Sequence, residues 1–314
     1  NEGRVIGRTI EALQAQGYPG LRIVVVDDGS RDDTFDVAIA AAQAAPEGTV
    51  HVVRQANAGK AAALTTGFAV ATTEVVVVVD ADTMLAPEAI RALVAPLADP
   101  RVAAVAGNAK VGNRVNLVTR WQALEYITSQ HLELGACLLL IAISFVPGAI
   151  GAWRRGAVQA AGGFSSATLA EDQDLTMALL RAGHRIAYAD AAVAYTEAPE
   201  TFAALGRQRY RWSFGSLQCA WKHRAAMRDA VRDRRAIGWA GVPNVWLFQL
   251  LFPLLAPAAD LALLATLARY VVEAQALGRH AAWGHAEPVV TLYLAYLLVD
   301  LLTAVVGVAF ERGE

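Results

Sequence analysis

With 314 residues the chain can hold one large domain or two small ones. Its content of 55% hydrophobic and 18% charged residues is more apolar than an ordinary soluble domain, and a formal net charge of -2 gives no reason to invoke nucleic acid. Cys137 and Cys219 stand far apart without metal-ligand spacing, which argues against a secreted disulfide scaffold and reads as two reduced, buried thiols.

The apolar surplus is uneven: about the first 240 residues read as soluble α/β, and long apolar runs follow. No signal-peptide pattern opens the chain. It begins instead on a helical pattern with no strand before it, so further residues are expected upstream. Val5, Ile6, Ile10 and Leu13 mark an amphipathic helix ending near Gln16-Gly17, with Tyr18-Pro19-Gly20 as a turn. Leu21–Val26 is a short apolar strand that runs into Asp27-Asp28-Gly29-Ser30. Ser30 with Asp33 resembles a capping box for a helix through about Ala45. A strand ending in acids, then glycine, then a capped helix is the crossover of a nucleotide-binding α/β domain. His51–Val53 is the next element, and Asn57-Ala58-Gly59-Lys60 precedes an Ala-rich helix from Ala61 to about Ala71. A lysine beside a glycine at a helix start is well placed to meet phosphate, although a solvated surface lysine fits this segment equally well.

Val75–Val79 is five valines running into Asp80-Ala81-Asp82. Consecutive β-branched residues suit a strand buried on both faces, as in a parallel sheet. The carboxylates then sit at its C-terminal edge, where open α/β sheets place their ligands. Alternation points Asp80 and Asp82 the same way, and a divalent cation would relieve their repulsion. Alone, the motif reads first as an Asp-rich turn after a strand, ahead of a cation pair.

Glu88–Leu97 reads as a helix after Pro87, and Val102–Gly107 as a strand. Gly112–Leu134 looks helical, with Trp121, Leu124, Ile127 and His131 near one face as core packing and His131 structural. Leu138–Val146 is too short to span a bilayer. The small residues of Pro147-Gly148-Ala149-Ile150-Gly151 mark a strand-like segment where a chain or ligand could approach closely. Gly162-Gly163-Phe164 is a turn. Glu171-Asp172-Gln173-Asp174 opens an amphipathic helix through Arg181, where acids are ordinary caps. Ile186–Tyr195 is a further strand.

Between Glu200 and His223, aromatics, leucines and basic residues mix in the manner of a helix lying in a membrane interface. Lys222, Arg224, Arg228, Arg232, Arg234 and Arg235 then outnumber Asp229 and Asp233, which places that side in the cytoplasm. Val245–Val272 and Pro288–Phe310 are each long enough to cross a bilayer of about 30 Å. Buried soluble helices are the alternative. Asp260 and Asp300 within them are expected to face protein or a wet channel. Two spans would return the C-terminus to the cytoplasm.

Taken in order, Asp27-Asp28-Gly29-Ser30, Lys60 in its GKAAAL stretch, Asp80-Ala81-Asp82, Glu171-Asp172 and Gln208-Arg209-Tyr210-Arg211-Trp212 resemble glycosyltransferase family 2. The resemblance is strongest to the processive membrane synthases of cellulose, chitin, hyaluronan and poly-N-acetylglucosamine, whose QxxRW signature the last segment matches. It covers about Asn1 to Arg224, and Asn1-Glu2 looks like the tail of a family motif whose strand lies upstream. Ala170 stands where the family commonly has Thr, and no role is carried over to Val146-Pro147-Gly148.

The resemblance implies a GT-A-like, Rossmann-type α/β glycosyltransferase domain over residues 1–198, interfacial amphipathic helices carrying QxxRW over 199–240, and two transmembrane helices within 241–314. It implies a multi-pass protein of the plasma membrane with a cytoplasmic catalytic domain. Asp27 and Asp28 would bind uridine, and Lys60 the diphosphate. Asp82, assisted by Asp80, would hold Mg²⁺ or Mn²⁺. Asp172, with Glu171 beside it, would be the general base of an inverting displacement. Gln208, Arg211 and Trp212 would line the acceptor site. The implied activity extends a β-linked polysaccharide from UDP-N-acetylglucosamine or UDP-glucose. A single addition to a lipid carrier or glycolipid, and an inactive nucleotide-sugar-binding regulator, are the alternatives.

Overall fold

The computed structural model of the protein describes residues 1–128, 145–228 and 241–310. Its first part alternates as the apolar runs and glycine-bearing turns require: α1 (Ile6–Gln14), β1 (Ile23–Asp28), α2 (Thr34–Ala44), β2 (Val50–Gln55), α3 (Lys60–Val70) and β3 (Val75–Val79). β1 and β2 pair in parallel across α2, from Ile23 opposite Val50 to Asp28 opposite Gln55. This is the expected crossover, but its capping box does not form. Asp33 is the N-cap without a side-chain bond, and Ser30 N donates instead to Asp27 Oδ1. The helix start is closed one residue earlier, by Asp32 accepting from Thr34 N and Oγ1 at 3.3 and 2.5 Å.

A second sheet contains β4 (Met84–Leu85), β5 (Val102–Val111), β6 (Ile150–Arg154) and β7 (Arg185–Thr196), in the order β3-β6-β5-β7-β4. β3 is a strand, but it pairs antiparallel with β6, and Val78 alone among its valines is buried. The strand buried on both faces is β5, all ten of whose residues are buried. Ala104 and Ala106 pack into one core, while Val105 and Ala109 pack into the other. Its small side chains let both layers close tightly. Valine content reports β-propensity; the partner strand decides burial.

Gly162 (φ 95) and Gly163 (φ 74) make the expected turn. It delivers Phe164 edge-on against Phe68 and Trp153, at 5.2 and 5.7 Å between centroids. Gly151 is required by close approach: a Cβ there would stand 2.5 Å from Val146 Cγ1. Gly151→Ala is therefore expected to lower stability by about 1–3 kcal/mol through overpacking, measurable by urea denaturation.

α5 (Leu117–Thr128) corrects the reading of its apolar stripe, since Trp121 and Leu124 are 67% and 40% exposed. The buried face is Thr119, Gln122 and Ala123. Gln122 Nε2 ties that face to Pro199 O at 2.8 Å, so polar satisfaction and small size set the packing side. His131 and Cys137 lie outside the described residues, as does most of Leu138–Val146; Cys219 is a free, buried thiol.

The remaining helices are α4 (Ala89–Val94), which forms the first part of the helix expected over Glu88–Leu97, then α6 (Arg155–Ala160), α7 (Glu171–Arg181), α8 (Phe202–Lys222), α9 (Phe252–Ala276) and α10 (Arg279–Phe310). α9 continues from a π-helical turn, Val245–Leu251. Val242–Ala276 and Arg279–Ala309 are long and apolar enough to cross a membrane, and their apolar windows are not buried in protein. Tyr293 Oη donates to Asp260 Oδ1 at 2.6 Å, so Asp260 has a partner on the neighbouring helix.

Candidate active site

The C-terminal end of β1 places Asp27 and Asp28 on a cleft of about 250 Å³ that Glu2, Asn57 and Ala81 also line. Asp27 is buried, with Arg54 Nε 3.2 Å from its Oδ2. Asp28 organises the loop before α3: Ala58 N and Gly59 N donate to its carboxylate at 2.9 and 2.8 Å, and Gln55 Nε2 at 2.7 Å. Burial opposes its charge, but these donors prevail and hold its pKa below the ordinary value.

Gly59 (φ 89) then turns the chain so that Lys60 opens α3 toward a group of carboxylates. Lys60 Nζ lies 2.6 Å from Asp80 Oδ1 and 3.7 Å from Glu171 Oε1. Burial works to lower its pKa, yet the charges of Asp80 and Glu171 leave it raised. Asp172, in the first turn of α7, accepts from Gly148 N at Oδ2 (3.1 Å) and from Gln173 N at Oδ1 (2.8 Å). Burial, then the neighbouring Glu171 charge, pushes its pKa up to about 6 against the pull of Lys60. A carboxyl so poised, within hydrogen-bond range of a backbone donor, can exchange a proton near neutral pH.

A Cβ on Gly148 would meet Lys60 Nζ at 2.7 Å and Asp172 Oδ2 at 3.3 Å. The close approach expected of this small-residue segment is thus to the charged cluster itself. Gly148→Ala must displace Lys60, and turnover is expected to fall by up to about 100-fold, the cost of a ~1 Å misplacement. Its melting temperature should stay near wild type.

Among the described residues, no three His, Cys, Asp or Glu side chains converge as a ready cation cage. Asp80 and Asp82 nevertheless fit one in chemistry. Burial, then the charge of Asp80, raises the pKa of Asp82, and Glu197 adds to the repulsion. Lys60 offsets the charge of Asp80, while Asp82 remains repelled by Asp80 and Glu197, and such an oxygen-only pair suits a hard divalent cation completed by phosphate oxygens.

On α8, Trp212 packs against Tyr126 of α5 at 6.5 Å, and the Arg209 guanidinium lies 4.7 Å over its ring. Arg209 is held in turn by Glu125 at 2.6 Å. Burial chiefly raises the Tyr126 phenol to about 12; Arg209 opposes, while Glu125, Asp80 and Asp82 add to the shift. The ring thus packs on the signature Trp and feels the charge of the acid pair. Gln208 Oε1 is buried without a hydrogen-bond partner, whereas Arg211 is exposed.

A family model described as glycosyltransferase-like family 2 matches residues 1–215. The chain belongs to glycosyltransferase family 2. It is 33% identical over 240 residues to a probable glycosyltransferase, YdaM, of Bacillus subtilis (strain 168), covering 74% of this chain and 57% of that protein. It is 28% identical over 230 residues to a poly-β-1,6-N-acetyl-D-glucosamine synthase of Staphylococcus aureus (strain COL), covering 73% and 54%. The chain thus spans little more than half of either relative. Its fold is similar to that of a mannosyltransferase from Pyrobaculum calidifontis solved with GDP-Man and Mn²⁺, with a TM-score of 0.66 at 24% identity, over 100% of this chain and 85% of that one. The α/β architecture is therefore GT-A-like.

Within this family 2 domain, the fold brings Lys60, Asp80, Glu171 and Asp172 into one cluster and sets Asp27 and Asp28 beside it on a separate cleft. Motif reading missed Glu125, Tyr126 and Gly148 as neighbours of these groups. Gly148 alone carried a signal, its small-residue surroundings.

Proposed function

We propose that the chain transfers a sugar from UDP-N-acetylglucosamine or UDP-glucose to the end of a growing β-linked polysaccharide. The observation that carries this is Asp172, raised to about 6 and held by Gly148 N beside Lys60 and Asp80. As general base it takes the proton from an acceptor hydroxyl while that oxygen attacks the anomeric carbon. The bond to the UDP oxygen breaks as the new one forms, so an α-linked donor gives a β-linked product. Asp27 and Asp28 accept uridine N–H and hydroxyl hydrogen bonds, and Lys60, kept cationic by its neighbours, transfers from Asp80 to the diphosphate. Glu171 keeps Lys60 on the base side. Asp82 with Asp80 would hold Mg²⁺ or Mn²⁺, which when bound draws charge off the departing diphosphate. Gln208, Arg211 and Trp212 line the acceptor site, Trp212 offering a flat apolar face to a sugar ring.

We assign residues 1–198 to a cytoplasmic catalytic domain, 199–240 to the membrane interface and 241–314 to two spans through which the polymer passes. The apolar helices support this, as do the exposed Tyr210 and Trp221 of α8 beside basic residues. The synthase named above supports N-acetylglucosamine as the sugar. The test is incubation of membranes with labelled UDP-sugars and Mn²⁺, followed by sizing and enzymatic digestion of the product. A growing polymer supports the proposal, a single sugar on lipid replaces it with a non-processive transfer, and absence of UDP release from every donor overturns it.

A further inference from the structure

The segment that carries the base is joined along its length to α8. Leu169 N donates to Gln218 Oε1 at 2.9 Å, Cys219 Sγ to Ala170 O at 3.5 Å, and Ser216 Oγ to Gln173 Oε1 at 2.8 Å. Between them Gly215 allows backbone contact, since a Cβ there would stand 2.8 Å from Ala170 Cβ and 2.9 Å from Ala170 N. The seam ends on Asp174, two residues past the base. Its carboxylate accepts from Lys222 Nζ at 2.6 Å and from His223 Nε2 at 2.8 Å. Asp174 and His223 are each 3% exposed, and Arg181 Nη1 lies 3.4 Å from His223 Nδ1. An Nε2–H tautomer satisfies both ring nitrogens, so His223 bridges Asp174 and Arg181.

A buried carboxylate with two such partners is costly to form and costly to break. Nothing in donor binding explains it: Asp27, Asp28, Lys60 and Asp80 stand on β1, on α3 and at the end of β3. What the cluster does fix is the C-terminal end of α8. That helix is a continuous rod from Phe202 to Lys222, and its signature segment is already held at the other side by Glu125 and Tyr126 of α5. The far end is thus secured to α7 through Asp174, beyond the seam that joins the two helices.

We propose that Asp174 is a positioning residue for the acceptor side of transfer, holding Lys222 and His223 so that α8 presents Gln208–Trp212 to Asp172. The inference rests on the transferase function proposed above. Loosening this end moves the acceptor site relative to the base and leaves the donor site in place.

The test uses the full chain in membranes, with UDP-N-acetylglucosamine as donor and an N-acetylglucosamine oligosaccharide as acceptor. Asp174→Ala is expected to reduce transfer by about tenfold or more and raise the acceptor KM. Donor affinity and slow hydrolysis of the donor by water should stay within about twofold of wild type. Asp174→Asn keeps an acceptor for His223 but loses the charge opposite Lys222, and is expected to show a smaller loss of the same kind. Should Asp174→Ala fail to fold, Asp174→Asn and the wedge variant Gly215→Ala must show the same split. Transfer and hydrolysis falling in equal proportion, or both remaining at wild-type levels, would overturn the assignment. A wild-type chain that releases UDP from neither substrate nor water reaction would instead overturn the transferase function, and this inference with it.

Discussion

Asp172→Asn is expected to reduce sugar transfer by about 100- to 10,000-fold, the range a positioned general base supplies, with UDP-sugar binding and fold retained. Asn keeps nearly the same volume and the acceptor for Gly148 N, while its amide NH2 takes the place of the oxygen that accepts from Gln173 N, so retained UDP-sugar binding and fold are the controls that tie the loss to proton transfer. The pH profile checks the same assignment. Because the carboxyl is raised to about 6, it is protonated below that pH and basic above it. Transfer should therefore rise about tenfold per pH unit up to about 6 and then level off. Removing the like charge beside it by Glu171→Gln should shift that rise to lower pH. Stability runs the opposite way. Between the ordinary Asp value of about 3.9 and the folded value, the native state binds more protons than the unfolded one, so stability falls as pH rises through that window. Asp172→Asn escapes this penalty and should melt at or above the wild-type temperature at pH 7.5. An active variant, or one inactive only because it melts early, would sink the base assignment.

Asp82→Asn is expected to cost transfer on the order of 100- to 1,000-fold, the several kcal/mol that a bound cation contributes to a departing anion. Chelation of the wild type should do the same, with activity restored by Mn²⁺ or Mg²⁺. A binding readout separates this from a damaged site: Mn²⁺ with UDP should raise the melting temperature of the wild type and not of Asp82→Asn. Burial and Asp80 raise the Asp82 pKa, so protons compete with the cation, and Mn²⁺ affinity should strengthen as pH rises through the titration of that group. Full transfer in excess chelator would remove Asp80 and Asp82 from the cation role.

Local chemistry explains which features were legible beforehand. Strand ends bearing acids, glycines preceding helix starts, and apolar runs long enough for a bilayer are each encoded within about ten neighbouring residues, and every such element is present. The failures share a different cause. The helical spacing of Trp121 and Leu124 predicts them inside, but spacing does not say which face meets β5, and both are exposed. Gln122 and Thr119 took that face because Pro199 O and the Asn116 turn satisfy them there. Arg211 belongs to the signature, yet the arginine seated on Trp212 is Arg209, because Glu125 stands opposite it.

The sequence by itself determined the order of elements, the chemical kinds at each strand end and the two apolar helices. Periodicity, β-branching, glycine and charge act through the chain's immediate neighbours. Tertiary structure alone decided which strand is buried on both faces, since β3 met β6 antiparallel while β5 took the centre. It also decided that Gly148 N donates to Asp172 with no room for a side chain beside Lys60, and that Asp174 holds Lys222 and His223 at the far end of α8. These partners lie tens of residues apart, and burial acts on whatever the fold brings together.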